Sequence, residues 1–419
     1  MKNFILNKKI LDNLFLKEFF LKACLVLSSF HVIIWFIKKY TLGNREPFWD
    51  LVINYCAGQS YINGINPYKF AIGINPLGKC LNESGGLNDG FSYVATVPLL
   101  KLSGLFAQLD IELVKNLWIV IILFSLFTIF FTSIHIYKIK KKYLWFMLMT
   151  LFSFGGVGFF SFLTGNISIL CGTLISIGIY FYIQKKNIDV FCLFVCLAAL
   201  LRPQFFLFIL LPFMQENKKY IIKVFFYSFI VFIFFFYDFV FQKEMFIGFL
   251  KGVAYVRSDA FFWTFGDGIG LDAIIDQLPY AILLLFDMYI QPGPSKYSNF
   301  LWIIIASIIL LGSYLLLNRK NSSKKINQST SIALGVIIIT ACLPRLQMYD
   351  LILALPATYC IGMYLMEKNQ KMVSLLGFII LTIMYAVHDI NAPLFLFFMV
   401  LFYFMTEQYK NFFIRAEKK

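Results

Sequence analysis

Along the chain, apolar residues fall in long uninterrupted runs separated by short lysine-rich segments and two longer mixed loops. A helix needs about 20 apolar residues to cross a hydrocarbon core of roughly 30 Å. The runs predict twelve spans, at 20–37, 113–137, 143–160, 167–184, 188–201, 204–214, 220–241, 299–317, 330–343, 351–366, 372–388 and 393–406, with both termini on one side. The expected fold class is all-α, a polytopic transmembrane helical protein forming a single domain over residues 1–419. The short alternating segments of a membrane β-barrel are not visible. The runs at 188–201 and 204–214 are short, so they predict either a thinned hairpin or one span with shifted parity. Phe20–Ile37 is followed by no small-residue cleavage site and reads as a retained span. The first 19 residues read as a basic amphipathic helix on the cytoplasmic surface.

Two outer loops are expected, 38–112 and 243–298, and both carry outer-face juxtamembrane helices. With this parity Tyr93–Leu109 cannot span. It is expected along the outer leaflet, as a helix interrupted at Pro98. Leu278–Ile290 is too short to span and carries Asp287. Within the first loop, Pro47–Phe70 predicts a short helix with Asp50 in its first turn, stopped by Asn63-Gly64 and followed by the turn Asn66-Pro67-Tyr68.

Composition fits this outline: 60% of the 419 residues are hydrophobic and 14% charged, with mean hydropathy +0.77. The net charge of +15 raises a nucleic-acid partner as a reading, but its distribution excludes it. Seven clusters, Lys2–Lys17, Lys138–Lys142, Lys185-Lys186, Lys218–Lys223, Arg319–Lys325, Lys368–Lys371 and Lys410–Lys419, hold 23 of the 37 Lys and Arg. All seven fit the cytoplasmic side, so the excess is topology and the partner is the bilayer. Six of the eight cysteines lie in predicted spans. Cys56 and Cys80 share the outer loop, where an oxidising compartment would allow them to pair. His31, His135 and His388 are too dispersed for a metal cluster, and neither metal nor cofactor is expected.

The polar residues hardest to explain as loop ends all fall on the predicted outer side: Asp50, Asn66, Tyr93, Asn166, Arg202, Gln204, Arg257, Asp267, Arg345, Tyr349 and Asp350, with Lys251 and Tyr68 beside them. An isolated carboxylate can take a proton from a hydroxyl nucleophile. Arginines can hold a phosphate and stabilise the charge it gains on leaving. Outside the cytoplasm an activated sugar has to arrive on a lipid phosphate. Bland readings stand beside these. Asp50 is also a favourable helix-start acid. Asn66-Pro67-Tyr68 is a turn in its own right, and Arg202 can snorkel to a lipid headgroup. Arg345 and Asp350 can pair with each other, and Gly-flanked Asp267 can be a turn.

The order of motifs resembles glycosyltransferase family 87. These are Asp50-x₄-Tyr55, Gly64-x-Asn66-Pro67-Tyr68, Phe91-x-Tyr93 with Pro98 following, Gly165-Asn166, Arg202-Pro203-Gln204 and Pro344-Arg345-x₃-Tyr349-Asp350. The resemblance covers roughly residues 45–360. It implies a GT-C fold and an inverting transferase that uses a polyprenyl-phosphate hexose, mannose-like, with a cell-envelope glycan or glycolipid as acceptor. It also implies catalysis on the periplasmic or extracellular face of the cytoplasmic membrane, and the family's catalytic base carries over onto Asp50. The chain departs from the family at Tyr93-Val94-Ala95, where Tyr-Pro-Pro is usual, and in having Asn166 and Arg202 where Gln and Lys are common. Two rivals remain: an O-antigen polymerase or ligase resting on late-loop arginines, and a transporter or flippase for lipid-linked glycan, which needs polar groups near mid-membrane.

Overall fold

The computed structural model describes residues 47–68, 77–83, 93–140, 157–215, 220–256, 298–317, 327–344 and 346–366, with Leu271, Ile275, Ile379, Leu396, Val400 and Tyr403 as single positions. The described residues contain helices and no strand. The helices are α1 (Trp49–Ile62), α2 (Gly78–Glu83), α3 (Val97–Phe106), α4 (Ile111–Tyr137), α5 (Val157–Thr164), α6 (Ser168–Gln184), α7 (Ile188–Leu201), α8 (Ile221–Phe241), α9 (Lys243–Val256), α10 (Ser298–Leu317), α11 (Gln328–Ala341) and α12 (Ala354–Met366). Short 3₁₀ segments follow α7, at Pro203–Leu210 and Phe213–Gln215, and precede α12, at Met348–Leu353.

Among the described residues, four helical stretches are long and apolar enough to cross a membrane: Ile111–Tyr137, Ile221–Phe241, Asn299–Leu317 and Tyr349–Met366. Each falls on an expected span. α6, α7 and α11 also fall on expected spans but are shorter. The spans expected at 20–37, 372–388 and 393–406, most of 143–160, and the segment Leu278–Ile290 lie outside the described residues. The stretch 204–214 is not an α-helix. Residues 204–210 belong to the eight-residue 3₁₀ segment Pro203–Leu210, about 16 Å long at ~2.0 Å per residue. Of the two readings of the 188–214 region, neither is a pair of full-length α-helices.

Local chemistry explains the helix ends. Asp110 starts α4 by accepting from the Glu112 N–H at 2.9 Å, and Lys138 closes it in the left-handed region. Asn187 caps α7 through the N–H groups of Asp189 and Val190, both at 3.1 Å. Pro98 does not interrupt α3 as expected. It sits in the first turn, where its missing N–H costs nothing, and Thr96 caps the helix by accepting from Leu99 N. Thr96 Oγ1 also donates to Leu200 O at 2.6 Å. That carbonyl lies at the end of α7, where Pro203 breaks the helix, so the Thr96 side chain fills the gap.

α6 lies between α4 and α7, α1 lies along α3, and α11 packs on α12. The contact of α1 with α3 brings backbone close to backbone: a Cβ at Gly58 would meet Ser103 O at 2.4 Å. The sulfurs of Cys56 and Cys80 are bonded, tying α1 to α2. α8 and α10 keep broad apolar faces uncovered, with Phe225 68% and Phe300 63% exposed. Broad exposed apolar faces on long helices are what a lipid environment accommodates and water does not.

The bundle has two chemically different ends. At one, the last turn of α4, the end of α6 and the first turns of α7 and α8 meet: Gln184 donates to His135 O at 3.1 Å, and Lys223 pairs with Asp189 at 2.6 Å. Lys138, Lys140, Lys185 and Lys186 follow directly on these elements. The other end gathers the start of α1, the α5–α6 turn, the α7 terminus and the Met348–Leu353 segment. The candidate site lies there.

Candidate functional site

Asp50 stands in the first turn of α1. The residue before the helix, Phe48, takes the left-handed conformation at φ 66 and donates its N–H to Leu163 O at 2.6 Å. Its ring is buried beside Phe162, with 5.8 Å between ring centres. For a bulky side chain that conformation costs about 1–3 kcal/mol, so the chain bends sharply into α1 under tertiary restraint. Pro47 is exposed and lies two positions before the helix, which begins at Trp49. The stop is as expected, with Gly64 at φ 75. Asn54, one turn along, donates to Asp50 O at 2.8 Å.

The Asp50 carboxylate receives the Asn166 amide: Nδ2 donates to Oδ2 at 2.7 Å. Asn166 comes from the turn Thr164-Gly165-Asn166, in which Gly165 has φ 64 and a Cβ would sit 2.9 Å from Leu51 Cβ. Only glycine meets both demands. Asn166 Oδ1 accepts from Ser168 N at 2.9 Å and from Arg202 Nη1 at 3.0 Å.

Arg202 is the hub. Its Nη1 donates to Asn166, to Ser168 Oγ and to Asp350 Oδ1, the last at 3.0 Å. Its guanidinium lies 5.3 Å from the centre of the Tyr349 ring. Tyr349 is stacked on Phe160 at 6.2 Å, and Trp49 meets Phe160 edge-on at 5.9 Å. Burial works against the arginine's charge. Asp350 acts in the other direction, with smaller contributions from Tyr349, Cys171 and Asp50, and the net effect raises the Arg202 pKa above its ordinary value. The side chain remains 19% exposed. The donors on Nη2 and Nε make no hydrogen bond among the described residues.

Asp350 is fully buried, so it is a counter-ion inside the protein and not a surface acid. It accepts from Ser168 Oγ at 2.6 Å, from Gln204 Nε2 at 2.8 Å and from Gln347 N at 2.9 Å, as well as from Arg202. A buried carboxylate needs this much company. Its partner is therefore Arg202. Arg345, the other arginine considered for this acid, lies outside the described residues, as do Arg257 and Asp267.

A second group joins the first through Asn54, whose Oδ1 accepts from the Tyr93 hydroxyl at 3.1 Å. Tyr93 is 2% exposed and stacked at 5.2 Å on Tyr68, whose hydroxyl donates to Ala95 O at 2.8 Å. Burial raises the pKa of both phenols, and at Tyr68 the neighbouring Tyr93 and Asp238 add to it, so both stay neutral donors. Asn66 Oδ1 accepts from Tyr68 N at 3.0 Å, so Asn66 shapes the turn that places Tyr68. α9 crosses over these rings, with Gly248 against Tyr68 and Gly252 against Tyr93 O; Lys251 is exposed on this helix.

Asp50, Asn166, Arg202, Gln204, Tyr349 and Asp350 thus share one network, and Tyr68 and Tyr93 join it through Asn54. Sequence reasoning missed three contributors. Asn54 is one turn from Asp50 on the same helical face, a signal that was available. Ser168 carries none. Asp238 is a lone acid in an apolar run and is now seen 2% exposed, paired with Lys101 at 2.9 Å. An acid in such a run needs a partner, and that could have been asked of it. Among the described residues no group of His, Cys, Asp and Glu side chains could hold a metal ion. Compared with known proteins, the chain matches no family model, no curated protein and no solved structure.

Proposed function

We propose that the protein is a membrane glycosyltransferase of the cytoplasmic membrane. It would transfer a mannose-like hexose from a polyprenyl-phosphate sugar to a hydroxyl of a cell-envelope glycan or glycolipid, with inversion. The reading includes the GT-C fold and the twelve spans. Asp50 takes the acceptor proton, the alkoxide oxygen bonds to the anomeric carbon, and the bond from that carbon to the phosphate oxygen breaks. The lipid phosphate leaves as an anion. Arg202 is the cation for that anion, through the Nη2 and Nε donors that its partners leave open. Lys251, Arg257 and Arg345 are further phosphate ligands in this reading, while Asp267 and the aromatic residues line the sugar path.

The observation that carries the proposal is the union of the acid and the arginine through one amide at a single end of the bundle. Lysines cluster at the other end, and positive loops favour the cytoplasm, which supports an outward-facing site. The Cys56–Cys80 disulfide lies on the α1 side and supports an oxidising compartment there. A transporter would need its charged groups deep in the bundle. Asp238, the buried acid of α8, is in the last turn of that helix and is neutralised by Lys101 of α3.

Purified protein in detergent, given a polyprenyl-phosphate hexose and a hydroxyl acceptor, should form glycosylated acceptor and free lipid phosphate with no gradient present. Failure to turn over any such donor, with vectorial movement of lipid-linked sugar in vesicles instead, would replace the enzyme by a flippase.

A further inference from the structure

We infer that Asn166 is the positioning residue for Asp50 and not a substrate ligand. The inference rests on the reading of Asp50 as general base.

Three observations support it. The first is the amide's orientation. Both groups facing Asn166 Oδ1, the Ser168 N–H at 2.9 Å and the Arg202 guanidinium at 3.0 Å, are obligate donors, so only the oxygen can face them. That turns Nδ2 toward the Asp50 carboxylate. The second is rigidity. Asn166 N donates to Thr164 Oγ1 at 3.2 Å, and Gly165 holds the preceding bend with no room for a side chain. Arg202 is in turn clamped by the fully buried Asp350 and by the Tyr349 ring. The third is that Asp50 is held from both sides, its carbonyl by Asn54 and its carboxylate by Asn166. A general base works only when its oxygen lies within hydrogen-bond reach of the proton it takes, and a displacement of about 1 Å can cost about 10²-fold in rate. The Asn166 oxygen already serves two donors, which makes it a poor hydroxyl ligand and a firm strut.

The substitution Asn166→Asp separates the roles. It has nearly the same shape and keeps an oxygen for Ser168 N and Arg202, yet it removes the donor to Asp50. The expected result is a kcat about 10²-fold lower with an unchanged KM for the polyprenyl-phosphate hexose, and a lower thermal midpoint because a second carboxylate then faces Asp50. Asn166→Ser can still cap Ser168 N but cannot reach Asp50. It should show the same loss, and it carries the test if Asn166→Asp does not fold. If both variants keep wild-type kcat while Asp50→Asn is inactive, the positioning role is wrong and the base assignment stands. A loss confined to KM would make Asn166 a substrate ligand and overturn the inference. If Asp50→Asn itself keeps full activity, the base reading falls and the positioning role falls with it.

Discussion

Replacing Asp50 by Asn should lower kcat for hexose transfer by about 10³-fold, within the range expected for removing a positioned general base. Donor binding should survive. The substitution keeps the size of the side chain and an oxygen that can still accept from Asn166 Nδ2. The fold should survive as well, because α1 is anchored by other means. The Cys56–Cys80 bond, the Tyr55 hydroxyl on Leu109 O at 2.9 Å and the close approach of Gly58 to α3 do not involve the carboxylate. Transfer kinetics and donor affinity, measured side by side, check this. A polymerase or ligase that works through late-loop arginines would lose little with the same change.

The second large effect is on stability. Arg202→Ala should destabilise the protein by about 3 kcal/mol, because it strands Asp350 as a buried charge without its cation. The estimate sits at the low end for broken buried pairs for two reasons. Asp350 keeps hydrogen bonds from Ser168, Gln204 and Gln347, and Arg202 itself is partly solvated. Arg202→Lys should restore only part of the loss, since an ammonium on a shorter side chain lacks the planar guanidinium that lies against the Tyr349 ring. Chemical or thermal unfolding in detergent measures both variants. An Arg202→Ala protein as stable as wild type would show that the Asp350 site is wetter or more plastic than its complete burial implies.

Features written in local chemistry were legible from the sequence. The α1 helix with its acid in the first turn follows from an apolar run bounded by Asn63-Gly64, and the bend before Asn166 follows from Gly165. The long apolar runs gave α4, α8 and α10 nearly to the residue, because hydropathy over about 20 residues is a strong signal. The gathering of Asp50, Asn166, Arg202 and Asp350 was legible as a shared face but not as bonds. Asp350 meets Arg202, 148 residues away, and nothing in the sequence marks that pair. Proximity in sequence says little about partners across a bundle. Pro98 shows a different limit: a proline inside an apolar stretch reads as a break or as a first-turn residue, and the choice rests on Thr96, whose hydroxyl caps α3 while also serving Leu200 O of α7. The 3₁₀ form of Pro203–Leu210 was likewise invisible, because an apolar run has the same composition in either helix. The pair of Lys101 and Asp238 was overlooked because one acid in a long run does not disturb its hydropathy.

The central claim is that a lipid phosphate docks beside Arg202 with its sugar presented to Asp50. A structure of the protein with a polyprenyl-phosphate hexose analogue bound tests it most directly. The account predicts phosphate oxygens within hydrogen-bond distance of the Arg202 Nη2 and Nε donors, and the anomeric carbon on the Asp50 side of them, with Asn166 still bonded to the carboxylate. A phosphate bound at the lysine-rich end of α6 and α7, or a sugar whose anomeric carbon points away from Asp50, would contradict it.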